Sequence, residues 1–505
     1  MSNNYVELIR QANVYEVAIK SPLEPAPRLS KRLQNHTLFK REDLQPVFSF
    51  KLRGASNKIA SLTHEEATRG VICASAGNHA QGVALAAGRR GIRARVVMPR
   101  TTPQIKIDAV RALGGEIELV GDDYDAANQH AQNVATEAGL TFIHPFDDVH
   151  VIAGQGTIAM EILEQNPGKI DAIFVPIGGG GLIAGIASYV KVIRPEIKII
   201  GVEPEDAASM HDSLAAGERI TLDRVGIFAD GVAVKRVGEE PFRIARKYVD
   251  EVILVTTDEI CAAIQDIFED TRSIVEPAGA LAVAGLKKWV AREGAIGKTV
   301  VTLNCGANMN FDRLRHVAER ADLGQQREAL FAVEIPEKPG SFLSFCETVG
   351  TRSITEFNYR FANANKAHMF VGVALSGGAA EKDIVETEMR QAGFPVIDMS
   401  TNEVAKLHVR YMVGGVAQGI QDERLFRFEF PERPGALLRF LQAVGSRWNI
   451  SLFHYRNHGS DYGRVLAGIQ VPQATEADFL MHLKELKFYF VEETNNPAYT
   501  SFLGG

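Results

Sequence analysis

Cysteine is scarce in this chain of 505 residues: Cys73, Cys261, Cys305 and Cys346 stand far apart, and no two form a CxxC pair. That scatter argues against a zinc site and a disulfide framework, and it suits a reducing cytosol. Basic excess is lacking too. The net charge of −7 leaves no electrostatic footprint for nucleic acid. No apolar run approaches the ~20 residues that cross a bilayer. The start, Met1-Ser2-Asn3-Asn4-Tyr5, has no basic segment leading into an apolar core and no Arg- and Ser-rich extension. Neither a secretory signal nor an organelle transit peptide is expected. A GxxxxGK[ST] motif is missing, which argues against a P-loop. What remains is an ordinary globular composition, 46% hydrophobic and 23% charged. At ~150 residues per domain the length predicts about three domains.

The stretch Phe48-Ser49-Phe50-Lys51-Leu52-Arg53-Gly54-Ala55 places a lysine among apolar side chains, ahead of a helix expected over 55–62. Apolar surroundings disfavour the ammonium and lower its pKa. A neutral lysine can attack an aldehyde to form a Schiff base, or act as a base. Around it the chain alternates short apolar runs with helical patterns. Strands are expected at 37–40, 70–74, 94–99, 116–120, 171–177, 197–202 and 299–303. Helices are expected over 80–89, 105–113, 124–138, 154–164 and 183–193. This alternation predicts an α/β region with an open, mostly parallel sheet and helices on both faces.

Three loops directly follow strands: 75–82, 178–182 and 304–308. Ligands of open α/β sheets bind at the carboxyl ends of strands, so the three loops should converge. In Gly178-Gly179-Gly180-Gly181-Leu182 the missing Cβ atoms let the backbone approach a ligand closely. Backbone N–H groups and the following helix N-terminus then favour an anion, most simply a phosphate. In Ser75-Ala76-Gly77-Asn78-His79-Ala80-Gln81-Gly82, Asn78 can donate to an oxygen on a flat ring, and His79 is read as structural.

From about residue 328 a near repeat begins. Phe331-Ala332-Val333-Glu334-Ile335-Pro336-Glu337-Lys338-Pro339-Gly340 returns as Phe426-Arg427-Phe428-Glu429-Phe430-Pro431-Glu432-Arg433-Pro434-Gly435. At the same spacing Phe345, Gly350 and Arg352 match Phe440, Gly445 and Arg447. One inserted residue later, Tyr359-Arg360 matches Tyr455-Arg456. An internal duplication follows. Residues 414–419 are the expected joint. Leu437, Leu441 and Val444 fall on one helix face at i, i+4, i+7.

Lysine, Asn-bearing loop and glycine loop, in that order, resemble the pyridoxal-phosphate enzymes of the tryptophan-synthase-β type (fold type II). Within them the chain is most similar to the biosynthetic threonine deaminase family, and each C-terminal copy resembles an ACT-like βαββαβ sensor. The resemblance implies a catalytic domain over 1–320 and regulatory domains over 329–401 and 424–495. It implies pyridoxal 5'-phosphate as cofactor, held by Lys51, Asn78 (at the phenolic oxygen), Gly178, Gly179, Gly180, Gly181, Leu182 and Cys305 (near the pyridine nitrogen). Ser75, Ala76 and Gly77 would bind substrate. Related serine racemases carry a second acid/base serine where this chain has Ala76, which disfavours racemisation. They bind a cation where this chain has Glu203, Ala207 and Ser209; the last replaces an acidic residue, so no metal is expected.

The implied activity is β-elimination of water from L-threonine to give 2-oxobutanoate and ammonia, with Lys51 taking the Cα proton. L-serine would be a secondary substrate. Isoleucine would inhibit and valine would oppose it at sites involving Tyr359, Tyr455, Leu437, Leu441 and Val444. A cytoplasmic homotetramer is implied, with neither nucleic acid nor membrane as partner. Other readings of the same motifs are a catabolic serine/threonine dehydratase, a racemase, a threonine synthase, or a non-catalytic amino-acid-binding regulator.

Overall fold

Short strands of two to seven residues build two mostly parallel sheets within the first 304 residues. The computed structural model describes residues 4–121, 123–226, 228–311, 313–361, 365–407, 409–411, 417, 419–431, 436–444, 447–456, 462–486, 488–496 and 499. The larger sheet runs in the order Leu23–Pro25, His36–Arg41, Thr299–Asn304, Ala172–Pro176, Lys198–Pro204, Glu251–Val255. Only the edge pair Leu23–Pro25 and His36–Arg41 is antiparallel. Side chains alternate between its faces. Ile173 and Val175 enter a core with the helices Val149–Gln165 and Gly181–Ile193. Ala172 and Phe174 enter another with Thr257–Thr271 and Pro277–Glu293. Both faces are covered, as buried parallel strands require.

The smaller sheet is Glu116–Leu119, Ala94–Met98, Val71–Ala74, Thr141–Phe142, all parallel. The mostly parallel α/β architecture expected from the sequence is therefore present, split between two sheets. One strand, Glu251–Val255, and the four α-helices Ser209–Ala216, Glu239–Tyr248, Thr257–Thr271 and Pro277–Glu293 lie in a stretch where no element was expected.

The helix after the key lysine differs from expectation. It spans Lys51–Ala60 and so begins at the lysine itself rather than at Ala55. Gln45 and Phe48 set this start: the N–H of Phe48 donates to the Gln45 carbonyl, and Phe48 takes φ +55°. The chain then enters the helix directly. Arg53 anchors that first turn. Its buried guanidinium donates to Glu42 and Glu161, and Lys40 Nζ reaches Glu161 at 2.6 Å.

The chain divides into two units, Met1–Ala321 and Asp322–Gly505. The second is one antiparallel sheet of eight strands. Each half follows strand, helix, strand, strand, helix, strand: Glu328–Pro336 through Val396–Asp398, then Glu423–Pro431 through Tyr489–Glu492. The halves join edge to edge where Ile354–Arg360 pairs with Asn449–Arg456. The duplication thus produces a doubled ACT-like sheet with one shared core. Apart from 417 and 419, the expected joint at 414–419 lies outside the described residues, as do Glu432, Arg433, Pro434, Gly435 and Gly445 and the Arg456 side chain.

Candidate active site

The carboxyl ends of the strands meet in one cavity of the first unit. Lys51, Asn78, Gly178, Gly179, Gly180, Gly181, Leu182 and Cys305 all line it. These are all the residues for which a cofactor contact was expected. Ser75, Ala76 and Gly77 form the loop that leads into Asn78, and Ser75 Oγ accepts the N–H of Gly77 at 3.2 Å.

Lys51 Nζ lies 3.4 Å from the Pro145 carbonyl and 5.4 Å from the Phe50 ring centre. Burial pushes its pKa down to about 8, against a weaker pull upward from the Glu276 carboxyl. A useful share of neutral amine therefore exists near neutral pH. The segment before it is tied to the third loop: Phe50 N–H donates to the Cys305 carbonyl, and Ser49 bridges to Gly306.

The glycine loop leads into the helix Gly181–Ile193. Gly180 has φ +92°, and a Cβ on Gly179 would stand 2.2 Å from the Phe146 ring. Glycine is needed at both places, one for its backbone angle and one for close approach. The first N–H groups of a helix lack intrahelical acceptors, so this loop presents donors to the cavity. A phosphate monoester fits such a cradle, and a lysine of lowered pKa in the same cavity fits an aldehyde on the same molecule. The residues present suit pyridoxal phosphate.

Cys305 is 3% exposed, and its Sγ donates to the Ala278 carbonyl at 3.4 Å. Burial raises its pKa well above the ordinary thiol range, so it stays protonated. His79 is buried, with Nε2 2.8 Å from the Ile143 carbonyl, and burial lowers its pKa to about 3. That neutral ring ties the helix Asn78–Arg89 to the neighbouring strand end. Glu203 accepts the N–H groups of Met210 and His211, each at 2.8 Å, and so caps the helix Ser209–Ala216.

Two polar side chains of the cavity were missed by sequence reading. Glu276 accepts from Asn78 Nδ2 at 2.7 Å, and Gln155 accepts the N–H of Gly54 at 3.3 Å. Burial, with the Asp230 charge second, raises the Glu276 pKa to about 7. Glu276 precedes Pro277 at the start of a helix, a readable signature of a helix start. Nothing local marks Gln155.

The family described as "Pyridoxal-phosphate dependent enzyme" matches residues 15–306, and "C-terminal regulatory domain of Threonine dehydratase" matches 319–409 and 414–503. The biosynthetic L-threonine dehydratase of Burkholderia multivorans is 58% identical over 99% of this chain and 99% of its own. The chain belongs to the biosynthetic threonine dehydratase family. The Escherichia coli relative of the same name is 53% identical over 99% of this chain and 97% of its own. The solved structure of processed threonine deaminase isoform 2 from Solanum lycopersicum aligns with a TM-score of 0.62 at 52% identity, covering 63% of this chain and 88% of that one. Membership makes this chain a pyridoxal-phosphate-dependent lyase of fold type II with ACT-like regulatory repeats.

Proposed function

We propose that the chain converts L-threonine to 2-oxobutanoate and ammonia, the first step toward isoleucine, and that the catalytic region spans 1–320. The observation that carries the reading is the meeting of Lys51, Asn78, the four glycines and Cys305 at one cavity. Pyridoxal phosphate supplies the electron sink when bound. Lys51 holds the cofactor and, once freed, takes the Cα proton of the substrate; its lowered pKa suits that base role. The loop of Ser75, Ala76 and Gly77 opens the helix Asn78–Arg89 and is suited to the substrate carboxylate. Cys305, kept neutral by burial, would offer the cofactor ring only a weak thiol donor and would not hold its nitrogen protonated as a carboxylate would. Loss of the Cα proton and the β-hydroxyl releases water and aminocrotonate, and hydrolysis then yields the 2-oxo acid and ammonia. L-serine, one methyl smaller, is a secondary substrate because pockets discriminate a methyl by only ~1–3 kcal/mol.

The repeats at 329–401 and 424–495 are the sensors for isoleucine, the inhibitor, and valine, its opponent. Tyr359 and Tyr455 belong to matching strands, with Phe357 opposite Tyr455 and Tyr359 opposite Phe453. Leu437, Leu441 and Val444 are all buried in the shared core, and Leu441 also borders a cleft with Lys338, Gly340, Trp448 and Asn449. That cleft favours an effector site at the junction of the repeats over one along the whole stripe. The working form is a cytoplasmic homotetramer. No helix among the described residues is long and apolar enough to cross a membrane.

The test is 2-oxobutanoate release from threonine, with and without isoleucine, by parent and Lys51→Ala. The variant is expected to release none and to lose the covalent cofactor link. Ammonia release within a few-fold of the parent would overturn the assignment.

A further inference from the structure

Gln155 lies on the helix Val149–Gln165 and is 1% exposed. Its Oε1 accepts the Gly54 N–H, so the orientation of the amide is set and Nε2 is the opposite end. Nε2 is fully buried and has no hydrogen-bond partner among the described residues. A donor left this way inside a protein is costly unless a ligand meets it. The side chain is also confined: a Cβ on Gly54 would stand 2.5 Å from Nε2. Gln155 walls the cavity that Lys51 and Gly178–Leu182 share. A protonated Lys51 offers it no acceptor. The group that both the glycine loop and an unmet amide donor can serve is an anion.

We propose that Gln155 Nε2 donates to the phosphate of the bound cofactor, beside the N–H groups of the glycine loop. The helix Val149–Gln165 packs against the lysine helix and, through the core on one face of the larger sheet, against the glycine-loop helix. Gln155 would therefore tie the phosphate to Gly54, three residues beyond Lys51, and set where the lysine starts relative to the anion. This inference rests on the cofactor site described above.

The experiment titrates the cofactor-stripped full chain with pyridoxal phosphate and, separately, with pyridoxal. Gln155→Leu is expected to bind pyridoxal phosphate about tenfold to a hundredfold more weakly, since a hydrogen bond to a charged group is lost. Its affinity for pyridoxal should stay within about twofold of the parent. Gln155→Glu keeps the size and the acceptor for Gly54 but sets a carboxylate against the phosphate, so its loss should be larger. It also serves if the leucine variant does not fold. The phosphorus-31 resonance of bound cofactor should move in whichever variant binds. Equal affinities of parent and both variants for pyridoxal phosphate would overturn the inference. So would an equal loss for pyridoxal, which would place the donor at the ring. A parent that binds pyridoxal as tightly as its phosphate would overturn the glycine-loop reading itself, and this inference with it.

Discussion

Asn78 Nδ2 donates to Glu276 Oε1 at 2.7 Å, while Asn78 Oδ1 accepts from Asn308 Nδ2 at 2.6 Å. The amide is therefore fixed at both ends. Asn308 also donates to the Val47 carbonyl, four residues before Lys51. Lysine segment, Asn loop and third loop are joined through one amide, and a carboxyl with a pKa raised to about 7 stands at its far end.

That carboxyl makes stability depend on pH. Its folded pKa of about 7 lies above the ordinary 4.5, so the folded chain binds the proton more tightly. Its contribution to stability is fully present below pH ~4.5 and is lost as pH rises through about 7. Glu276→Gln removes this slope and keeps an acceptor for Asn78. Melting temperatures of parent and variant should draw apart between pH 5 and pH 8, with the variant gaining on the parent. Parallel curves would mean that Glu276 does not titrate in this window.

Arg53 carries a larger load. With Lys40 it neutralises Glu42 and Glu161, and all four are fully buried. Arg53→Met leaves two buried carboxylates with one cation. Breaking such a pair costs about 3–5 kcal/mol. A urea titration of the full chain should show a loss of that size in the first unit's transition. Because Arg53 lies two residues from Lys51, cofactor retention should fall with it.

Cys305 stays neutral where it lies. Cys305→Ser replaces one weak neutral donor by another and should keep kcat within a few-fold. Cys305→Asp puts a carboxylate against the Ala278 carbonyl and, if it meets the ring nitrogen, holds that nitrogen protonated. Its kcat for 2-oxobutanoate release should fall at least about tenfold, the effect of roughly 1.4 kcal/mol in the barrier. An Asp variant as fast as the parent would move Cys305 away from the ring nitrogen.

The contrast between Lys51 and Gln155 explains what sequence could reveal. Asn78, the glycines and Cys305 stand just after apolar runs, and the ends of parallel strands must face a common crevice; Lys51 joined them through the family resemblance. Their meeting was legible. Glu276 and Gln155 arrive from helices, and Glu276 is 198 residues from the Asn78 it binds. No spacing rule reaches that far. The unread strand Glu251–Val255 opens on Glu251 after Asp250, two charges ahead of the apolar run Val252-Ile253-Leu254-Val255. Yet Thr256 and Glu259 form a capping box right after it, a start signal present in the sequence. In the repeats, period and duplication were readable. The burial of Leu437 and Val444 was not, because a stripe at helical spacing looks the same whether it faces core or cleft.

Regulation turns on the junction of the repeats. Tyr359 Oη donates to Glu337 Oε2, and Asn449 Nδ2 of the second repeat donates to Glu337 Oε1 at 3.0 Å. One carboxylate thus reads both repeats at once. Tyr359 is 3% exposed and its ring packs edge-on against Phe342, 4.9 Å between centres. Tyr359→Ala would open a core cavity at a cost of several kcal/mol, about 3–5 for a large aromatic. Tyr359→Phe removes only the hydroxyl and keeps the packing, so it isolates the contact with Glu337. An effector that weakens threonine binding must itself be weakened by threonine, by the same factor, typically about 5- to 150-fold. The expected outcome is that isoleucine raises the threonine concentration for half-maximal rate in the parent and valine reverses it. In Tyr359→Phe the isoleucine effect should shrink at least about fivefold, while turnover without effector stays within a few-fold. Equal isoleucine responses in parent and variant would remove the Tyr359–Glu337 contact from the effector site. A parent indifferent to isoleucine would remove the regulatory reading altogether.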